Sequence, residues 1–299
     1  MDTASTWGSE VPVVALVCAR RGPAPSAPPR GNRSATVGTF VRITPSPAQI
    51  EDARNSARRC AVGDATRPLS PRSQHRKVGP MKIGIIGAGN IGGNLTRRLT
   101  ALGHEVSVAN SRGPQTLAAL AEETGATPVH ASEAAQDAQV VVVTVPLKAV
   151  PDLPSGFLDG AAPGAAVIDT GNYYPQQRDG RIAAIEDGLT ESRWTEQQIG
   201  HPVIKAFNGT YAQDILDRGR PQGSPGRQAL PVAGDDAAAK QAVRDLIDEL
   251  GFDTVDAGGL DESWRQQPGT PVYGSQGDVD TIMKALAEAS PERTAEWRA

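Results

Sequence analysis

The sequence predicts an α/β protein built on a doubly wound parallel sheet, and three observations carry that prediction. Apolar strand patterns alternate with helical patterns from Met81 onward. The first strand runs directly into a glycine-rich turn and a helix. The run Ala138–Val145 is almost continuously β-branched, which is typical of a strand buried on both faces. Strands joined by helical crossovers form right-handed βαβ units, so the sheet should be parallel with helices on both faces.

The first strand, turn and helix contain the most informative motif of the chain. Lys82–Ile86 predicts a buried strand and Ile91–Leu102 an amphipathic helix. Between them, Gly87, Gly89 and Gly92 follow the G-x-G-x-x-G spacing, which in this strand–turn–helix setting indicates a dinucleotide fingerprint. The first glycine allows the sharp turn, the second lets a pyrophosphate approach the backbone, and the third lets helix and strand pack closely. A glycine turn in an unrelated α/β protein is the alternative.

The remaining elements follow from apolar periodicity and from the turn residues between the periodic segments. Seven further strands are predicted, at Glu105–Ala109, Thr127–Val129, Ala138–Val145, Ala165–Asp169, Pro202–Phe207, Ala229–Ala233 and Phe252–Ala257. Three further helices are predicted, at Pro114–Glu123, Asp236–Leu250 and Val279–Ala289. This order predicts a Rossmann-type domain over residues 81–210 and a small C-terminal α/β extension over 211–299 that completes a substrate cleft.

Residues 1–80 differ in composition from the rest of the chain. They are rich in Pro, Arg, Ser and Ala, and they hold 12 basic and 5 acidic residues against 18 and 29 in the remainder. Such a segment cannot bury enough apolar surface to offset its chain entropy, so we predict that it is disordered. Because Met81 begins the first strand directly, a misassigned upstream start is favoured, with Met81 as the natural one. An Arg-rich targeting peptide is the alternative.

The turn after the second strand discriminates between NAD and NADP. NAD-binding domains carry an acidic residue there for the ribose 2′-hydroxyl. This chain instead has Asn110, Ser111 and Arg112, and the turn lacks a carboxylate. A guanidinium offers a planar fork of donors that suits a phosphate dianion. We therefore predict NADP, with Ser111 and Arg112 on the 2′-phosphate. A solvated arginine in an ordinary polar turn is the alternative.

Ligands of open α/β sheets bind beyond the carboxyl ends of the strands, and this rule selects further candidates. After the fourth strand, Val145 and Pro146 could lie along the cofactor. After the fifth, Asn172 is either a partner for the nicotinamide carboxamide or a turn residue, and Asn208 after the sixth has the same two interpretations. Lys205 is either a site cation or a partnered structural lysine.

Composition excludes several classes of function. The sequence has no apolar run long enough to span a membrane, and its two cysteines provide neither a disulfide framework nor a zinc spacing. The acidic body argues against nucleic acid as a partner. Because the sequence shows no nucleophile–base set or metal cluster, we assign no catalytic side chain. These features predict a cytoplasmic protein that acts on small molecules, and apolar sheet edges favour a homodimer.

Several of these segments together resemble the NADP oxidoreductase, coenzyme F420-dependent family. The resemblance covers about residues 81–275 and rests on Met81–Gly93, Asn110–Pro114, Thr144–Pro146, Lys205–Asn208, Leu230–Asp236 and Glu262–Pro271. The first segments are shared by many NADP-binding domains, whereas the last two are more specific. The resemblance implies hydride transfer between NADPH and a deazaflavin, coenzyme F420, bound between the sheet and the C-terminal part.

The resemblance also implies a role for each site residue. The pyrophosphate would lie against Gly87, Gly89, Asn90, Ile91 and Gly92; the 2′-phosphate against Ser111 and Arg112; and the rest of the cofactor beside Val145, Pro146 and Asn172. Asn208 and the loop Gly269–Pro271 would line the second pocket. Three alternatives stay open: reduction of a small carbonyl or imine, reduction of a free flavin, and a non-catalytic NADP-binding module.

Overall fold

The main sheet has six parallel strands in the order β3-β2-β1-β4-β5-β6. The computed structural model describes residues 79–299, so the predicted disorder of the N-terminal segment and both cysteines, Cys18 and Cys60, lie outside the described residues. The strands are β1 Lys82–Ile86, β2 Glu105–Ala109, β3 Thr127–Pro128, β4 Val140–Val143, β5 Ala166–Asp169 and β6 Ile204–Lys205. The order reverses at β1, which confirms the predicted doubly wound, Rossmann-type sheet.

Helices cover both faces of this sheet. The helices of the described chain are α1 Asn90–Ala101, α2 Ala118–Thr124, α3 Ala183–Glu186, α4 Glu191–Ile199, α5 Ala212–Asp217, α6 Ala237–Glu249 and α7 Val279–Ala287, of which α7 packs against the C-terminal extension and not against the main sheet. Short 3₁₀ segments at Pro114–Leu117, Leu147–Asp152, Leu260–Gln266 and Ala295–Trp297 connect them, together with a π-helical turn at Pro175–Asp179. The predicted second helix therefore begins as a 3₁₀ turn at Pro114, directly after Gly113, which has a φ of +91°.

The central strands of the sheet are buried on both faces and are mostly apolar. The four valines of β4 are at most 2% exposed. On one face, Leu95 and Leu99 of α1 belong to a buried cluster that also contains Ile215 of α5 and Val243 of α6, and both leucines are fully buried. Burial of each such leucine stabilises the fold by about 2 kcal/mol. The other face packs against a second apolar cluster that includes Trp194 of α4.

The C-terminal extension attaches to the main sheet through a second, small sheet. Strands β7 Ala229–Val232 and β8 Asp253–Asp256 are parallel and are connected through α6. Lys205 of β6 forms an antiparallel bridge with Ala233, with reciprocal N–H···O bonds of 2.8 and 3.1 Å. The side chain of Asp236 caps α6 by accepting from the N–H groups of Ala238 and Ala239. The predicted small α/β extension is therefore confirmed.

Candidate functional site

Two glycines of the turn after β1 are required by packing alone. Gly87 has a φ of +111°, and its N–H donates to the carbonyl of Ala109 at 2.8 Å. A Cβ atom at this position would lie 2.3 Å from the carbonyl oxygen of Thr144. At Gly92 a Cβ atom would lie 1.9 Å from the carbonyl oxygen of Gly87. The first and third glycines thus let β1, β4 and α1 meet at van der Waals distance.

The middle glycine has no such structural reason. A Cβ atom at Gly89 would meet nothing within 4 Å. Gly89 is the N-cap of α1 and provides no side-chain hydrogen bond, and the first bond of the helix runs from Gly93 N–H to its carbonyl at 2.7 Å. The N–H groups of Asn90, Ile91 and Gly92 therefore have no acceptor within the helix. This open N-terminus has the geometry and the partial positive charge that a phosphate requires.

The turn after β2 is shaped by Asn110 and leaves Arg112 available. Asn110 Oδ1 accepts from the N–H of Arg112 at 2.9 Å, and its Nδ2 donates to Thr116 Oγ1 at 2.9 Å. The amide of Asn110 is thus used within the turn. Ser111 and Arg112 are exposed, and within residues 79–299 their side chains make no hydrogen bond or ion pair. A free guanidinium at this point fits an anionic group on the ribose.

Val145 and Pro146 follow β4 and lie beside the glycine turn. Val145 is buried, and its Cγ1 atom would be 3.1 Å from a Cβ atom at Gly87. Pro146 is partly exposed. Both residues are thus at the carboxyl edge of the sheet, where the predicted cofactor path crosses from β1 to β4.

Asn172 and Asn208 form a reciprocal amide pair across the ends of β5 and β6. Asn172 Nδ2 donates to the carbonyl of Asn208 at 2.8 Å, and Asn208 Nδ2 donates to Asn172 Oδ1 at 3.1 Å and to the Gln266 carbonyl at 2.6 Å. Within the described chain, the buried Oδ1 atom of Asn208 has no hydrogen-bond partner. Phe207, directly before it, has a φ of +62°, which a bulky buried residue rarely adopts. The backbone here is strained, as it often is near functional sites.

A buried ionic cluster lies directly behind this pair. Lys205 is fully buried, with its Nζ atom 3.6 Å from Asp169 Oδ2 and 3.8 Å from Glu191 Oε2. The same ammonium donates to the carbonyl of Gly171. Arg293, from the end of the chain, donates to the other oxygen of Glu191. Of the two interpretations of Lys205, the structure supports the partnered structural lysine.

Burial raises the pKa of the Glu191 carboxyl above its ordinary value, although Lys205 and Arg293 oppose the shift. A raised folded-state pKa means that the folded protein binds this proton more tightly than the unfolded chain. The contribution of Glu191 to stability is therefore greatest below the unfolded pKa of about 4.3, and it declines as the pH rises through the folded-state pKa.

We expect Glu191→Gln to remove this pH dependence. The free energy of unfolding of the wild type, minus that of the variant, should decrease as the pH rises above about 4.3. Urea unfolding of both proteins between pH 4 and 8 measures this difference. A difference that is flat or rises with pH would show that the carboxyl is ionised as easily in the folded protein as in the unfolded chain.

Aromatic residues cluster just beyond the asparagine pair. The hydroxyl groups of Tyr174 and Tyr273 are hydrogen-bonded to each other, and the Trp297 ring lies 5.9 Å from the Tyr174 ring and 6.3 Å from the Tyr273 ring, centre to centre. Burial raises the pKa of both tyrosines, so their hydroxyls remain protonated at neutral pH. A Cβ atom at Gly269 would lie 2.6 Å from Trp297, which places the loop Gly269–Pro271 against the same cluster.

The described part of the chain contains neither a cluster of metal ligands nor a membrane-spanning helix. Residues 79–299 contain no group of three or more His, Cys, Asp and Glu side chains that could hold a metal ion. None of the helices in this range combines the length and the apolar character needed to cross a bilayer.

Comparison with known proteins identifies a family that matches the part of the chain that forms this edge of the sheet. The family described as NADP oxidoreductase, coenzyme F420-dependent, matches residues 82–173. The chain belongs to this family. The matched range runs from β1 to the loop after β5, so it includes the glycine turn, Arg112, Val145 and Asn172. The description of this family names NADP-dependent oxidoreduction.

Three relatives show how far the likeness extends. Protein YjhV of Escherichia coli (strain K12) is 46% identical over 73 residues, 24% of this chain and 53% of that protein, so the match spans about half of this curated relative. The crystal structure of protein SMa0349 from Sinorhizobium meliloti is 30% identical with a TM-score of 0.55, covering 66% of this chain and 94% of that one. A structure from Arthrobacter sp. FB24, provisionally described as an F420-dependent NADP-reductase, is 25% identical with a TM-score of 0.49, covering 60% and 85%.

Proposed function

We propose that this protein binds NADP(H) along the carboxyl edge of the main sheet and transfers a hydride between it and a deazaflavin of the coenzyme F420 type or a related acceptor. The observation that carries the proposal is the free guanidinium of Arg112 beside an open N-terminus of α1, in a chain whose family is described as NADP oxidoreductases. The helix N-terminus would bind the pyrophosphate of NADP, and the guanidinium would bind its 2′-phosphate.

In this proposal each predicted residue has a separate task. The N–H groups of Asn90, Ile91 and Gly92 bind the pyrophosphate, which approaches over Gly89, and Gly87 makes the turn. Ser111 and Arg112 bind the 2′-phosphate. Val145 and Pro146 lie along the cofactor, and the Asn172–Asn208 pair holds the nicotinamide end, with the free Oδ1 atom of Asn208 as the acceptor for a carboxamide N–H.

The acceptor would lie between the loop after β5 and residues 266–274, so that residues 211–299 complete the cleft. NADPH supplies the hydride, and the chain itself supplies orientation and exclusion of water. This division agrees with the residues around the proposed nicotinamide end, which include the amides of Asn172 and Asn208 and the neutral tyrosines Tyr174 and Tyr273. The family description, which names coenzyme F420, supports a deazaflavin as the acceptor.

Mixing the full chain with NADPH and coenzyme F420 tests the transfer. We expect bleaching of the visible deazaflavin absorbance together with oxidation of NADPH. Riboflavin 5′-phosphate and a panel of small carbonyl and imine compounds are run in parallel. NADPH oxidation with one of these but not with the deazaflavin would reassign the acceptor. Tight NADPH binding without turnover of any acceptor would support a non-catalytic binding module.

We expect Arg112→Ala to weaken NADPH binding by about 10- to 100-fold, because a charge-assisted bond to a phosphate contributes about 1.5–3 kcal/mol. Binding of NADH, which lacks the 2′-phosphate, should change little. Arg112→Lys keeps the charge but loses the planar fork, so its affinity for NADPH should lie between those of the wild type and Arg112→Ala. Lys284→Ala on the exposed face of α7 is the control for net charge. Equal losses for NADPH and NADH, measured by calorimetry, would refute the assignment.

We also propose a cellular location and an oligomeric state for this protein. We place the protein in the cytoplasm, and we propose a homodimer formed through apolar sheet edges. Sedimentation of the full chain tests the dimer directly, and a monomer at every concentration would remove it from the proposal.

A further inference from the structure

The end of the chain packs against the loop that carries Asn172. We call residues 291–298 the strap and residues 170–179 the β5 loop. Gln176 of the β5 loop donates from Nε2 to the carbonyls of Ala295 and Arg298, at 3.2 and 2.9 Å. Trp297 of the strap contacts Tyr174, ring to ring. The strap therefore touches the second half of the β5 loop directly.

A second attachment reaches the first half of the β5 loop through buried charges. Arg293 of the strap donates to one oxygen of Glu191 and, at 3.1 Å, to Gln267 Oε1. The other oxygen of Glu191 lies 3.8 Å from Lys205 Nζ. Lys205 in turn donates to the carbonyl of Gly171, which is the residue before Asn172. A continuous chain of polar contacts thus joins the strap to the nicotinamide end of the proposed site.

Charge balance makes this second attachment a strong one. The side chains of Lys205 and Glu191 are fully buried and that of Arg293 is 13% exposed. With Arg293 in place, the cluster contains two cations and two anions, since Asp169 is the fourth member. Without it, two buried carboxylates would share one ammonium, and an uncompensated buried charge is strongly unfavourable. Docking of the strap and the geometry of the cluster are therefore coupled.

We propose that Arg293 is a positioning residue: by docking on Glu191 it holds the β5 loop, and with it Asn172, in the arrangement that the nicotinamide half of NADP(H) requires. The inference rests on the proposed function, since it assumes that NADP(H) binds at this edge. The adenosine half would bind at β1 and β2, on the far side of β4 from β5. Loss of the strap contact should therefore affect one half of the cofactor and leave the other unchanged.

Calorimetry with two ligands tests this division on the full chain. We expect Arg293→Met to weaken NADPH binding about tenfold or more, while binding of 2′-phospho-ADP-ribose, which lacks the nicotinamide, stays within about twofold. Arg298→Met is the matched control, because it removes the same charge from the strap and its side chain makes no hydrogen bond or ion pair within residues 79–299. An equal loss for both ligands, or no loss for either, would overturn the inference.

A second variant and a ligand-free measurement separate this inference from the proposed function. Trp297→Leu removes the aromatic attachment and leaves the ionic cluster intact, so it should give the same selective loss if Arg293→Met does not fold. In both variants we expect faster hydrogen exchange in residues 170–179 and unchanged exchange in α1. If the wild type binds neither ligand, the proposed function fails while the exchange experiment still tests the strap. Unchanged exchange in residues 170–179 would overturn the strap itself.

Discussion

Gly92→Ala is expected to lower the free energy of unfolding by at least about 3 kcal/mol. Its Cβ atom would lie 1.9 Å from the carbonyl oxygen of Gly87 and 2.7 Å from Thr144 Cγ2. The clash cannot be relieved by a side-chain rotation, because the nearest atom belongs to the backbone. Moving Gly87 would break its hydrogen bond to the Ala109 carbonyl, at the end of the neighbouring β2. Urea unfolding followed by circular dichroism measures the change.

Gly89→Ala is the matched variant with the opposite expectation. Nothing lies within 4 Å of a Cβ atom there, so the free energy of unfolding should stay within about 0.5 kcal/mol of the wild type. NADPH binding should weaken about tenfold or more, since the methyl group would occupy the space proposed for the pyrophosphate. Unchanged NADPH binding would mean that the pyrophosphate lies elsewhere. A fully stable Gly92→Ala variant would contradict the packing argument.

This contrast also shows which parts of the fold the sequence could predict. Patterns that are read over a few residues were sufficient to predict that β1, α1 and β4 exist, because strands buried on both faces are almost entirely apolar. The predicted strands Ala138–Val145 and Pro202–Phe207 were too long, because sheet pairing ends at Val143 and Lys205 while the apolar pattern continues. Val145, Ala206 and Phe207, which follow the two strands, are buried in loops at the carboxyl edge of the sheet, whereas Gln139 and Pro202, which precede the strands, are exposed.

The apolar periodicity of the sequence does not predict helix α4, although the ends of this helix carry readable signals. Thr190 accepts from the N–H of Arg193 as an N-cap, and Gly200 takes the left-handed conformation at the other end. Between them the helix is mostly polar, so its periodicity is weak. Its buried side chains, Glu191 among them, find their partners only in the tertiary structure.

The same distinction, between local sequence patterns and contacts that form only in the tertiary structure, applies to the site. The role of Arg112 on the 2′-phosphate is predicted from a five-residue turn and stays a prediction, and Asn110 shapes that turn by accepting from the Arg112 N–H. The cluster of Asp169, Glu191, Lys205 and Arg293 assembles from four separate segments, and the pairing of Arg293 with Glu191 spans 102 positions. Local periodicity does not contain such a contact. A charged residue inside an otherwise apolar strand, as at Asp169 and Lys205, was the one available hint.

Lys205→Met is expected to lower the free energy of unfolding by about 3–5 kcal/mol. It leaves the buried carboxyl groups of Asp169 and Glu191 with Arg293, which contacts Glu191, as the remaining cation of the cluster. The loss of the hydrogen bond to the Gly171 carbonyl adds to this effect. Lys82→Met is the control, since Lys82 pairs with Asp137 at 3.3 Å where both side chains are more than half exposed. That change should cost less than about 1 kcal/mol.

The double variant Lys205→Met/Glu191→Gln separates charge balance from hydrogen bonding. It leaves one anion, Asp169, which still accepts from Ser192 Oγ at 2.7 Å and from the Gly171 N–H at 2.8 Å, and one cation, Arg293. We expect the double variant to be more stable than Lys205→Met alone, because the second change removes the uncompensated carboxylate. A double variant no more stable than the single one would assign the loss to the missing Lys205–Gly171 hydrogen bond. In that case Lys205 would act on the β5 loop directly, and the charge of Glu191 would matter only for docking Arg293.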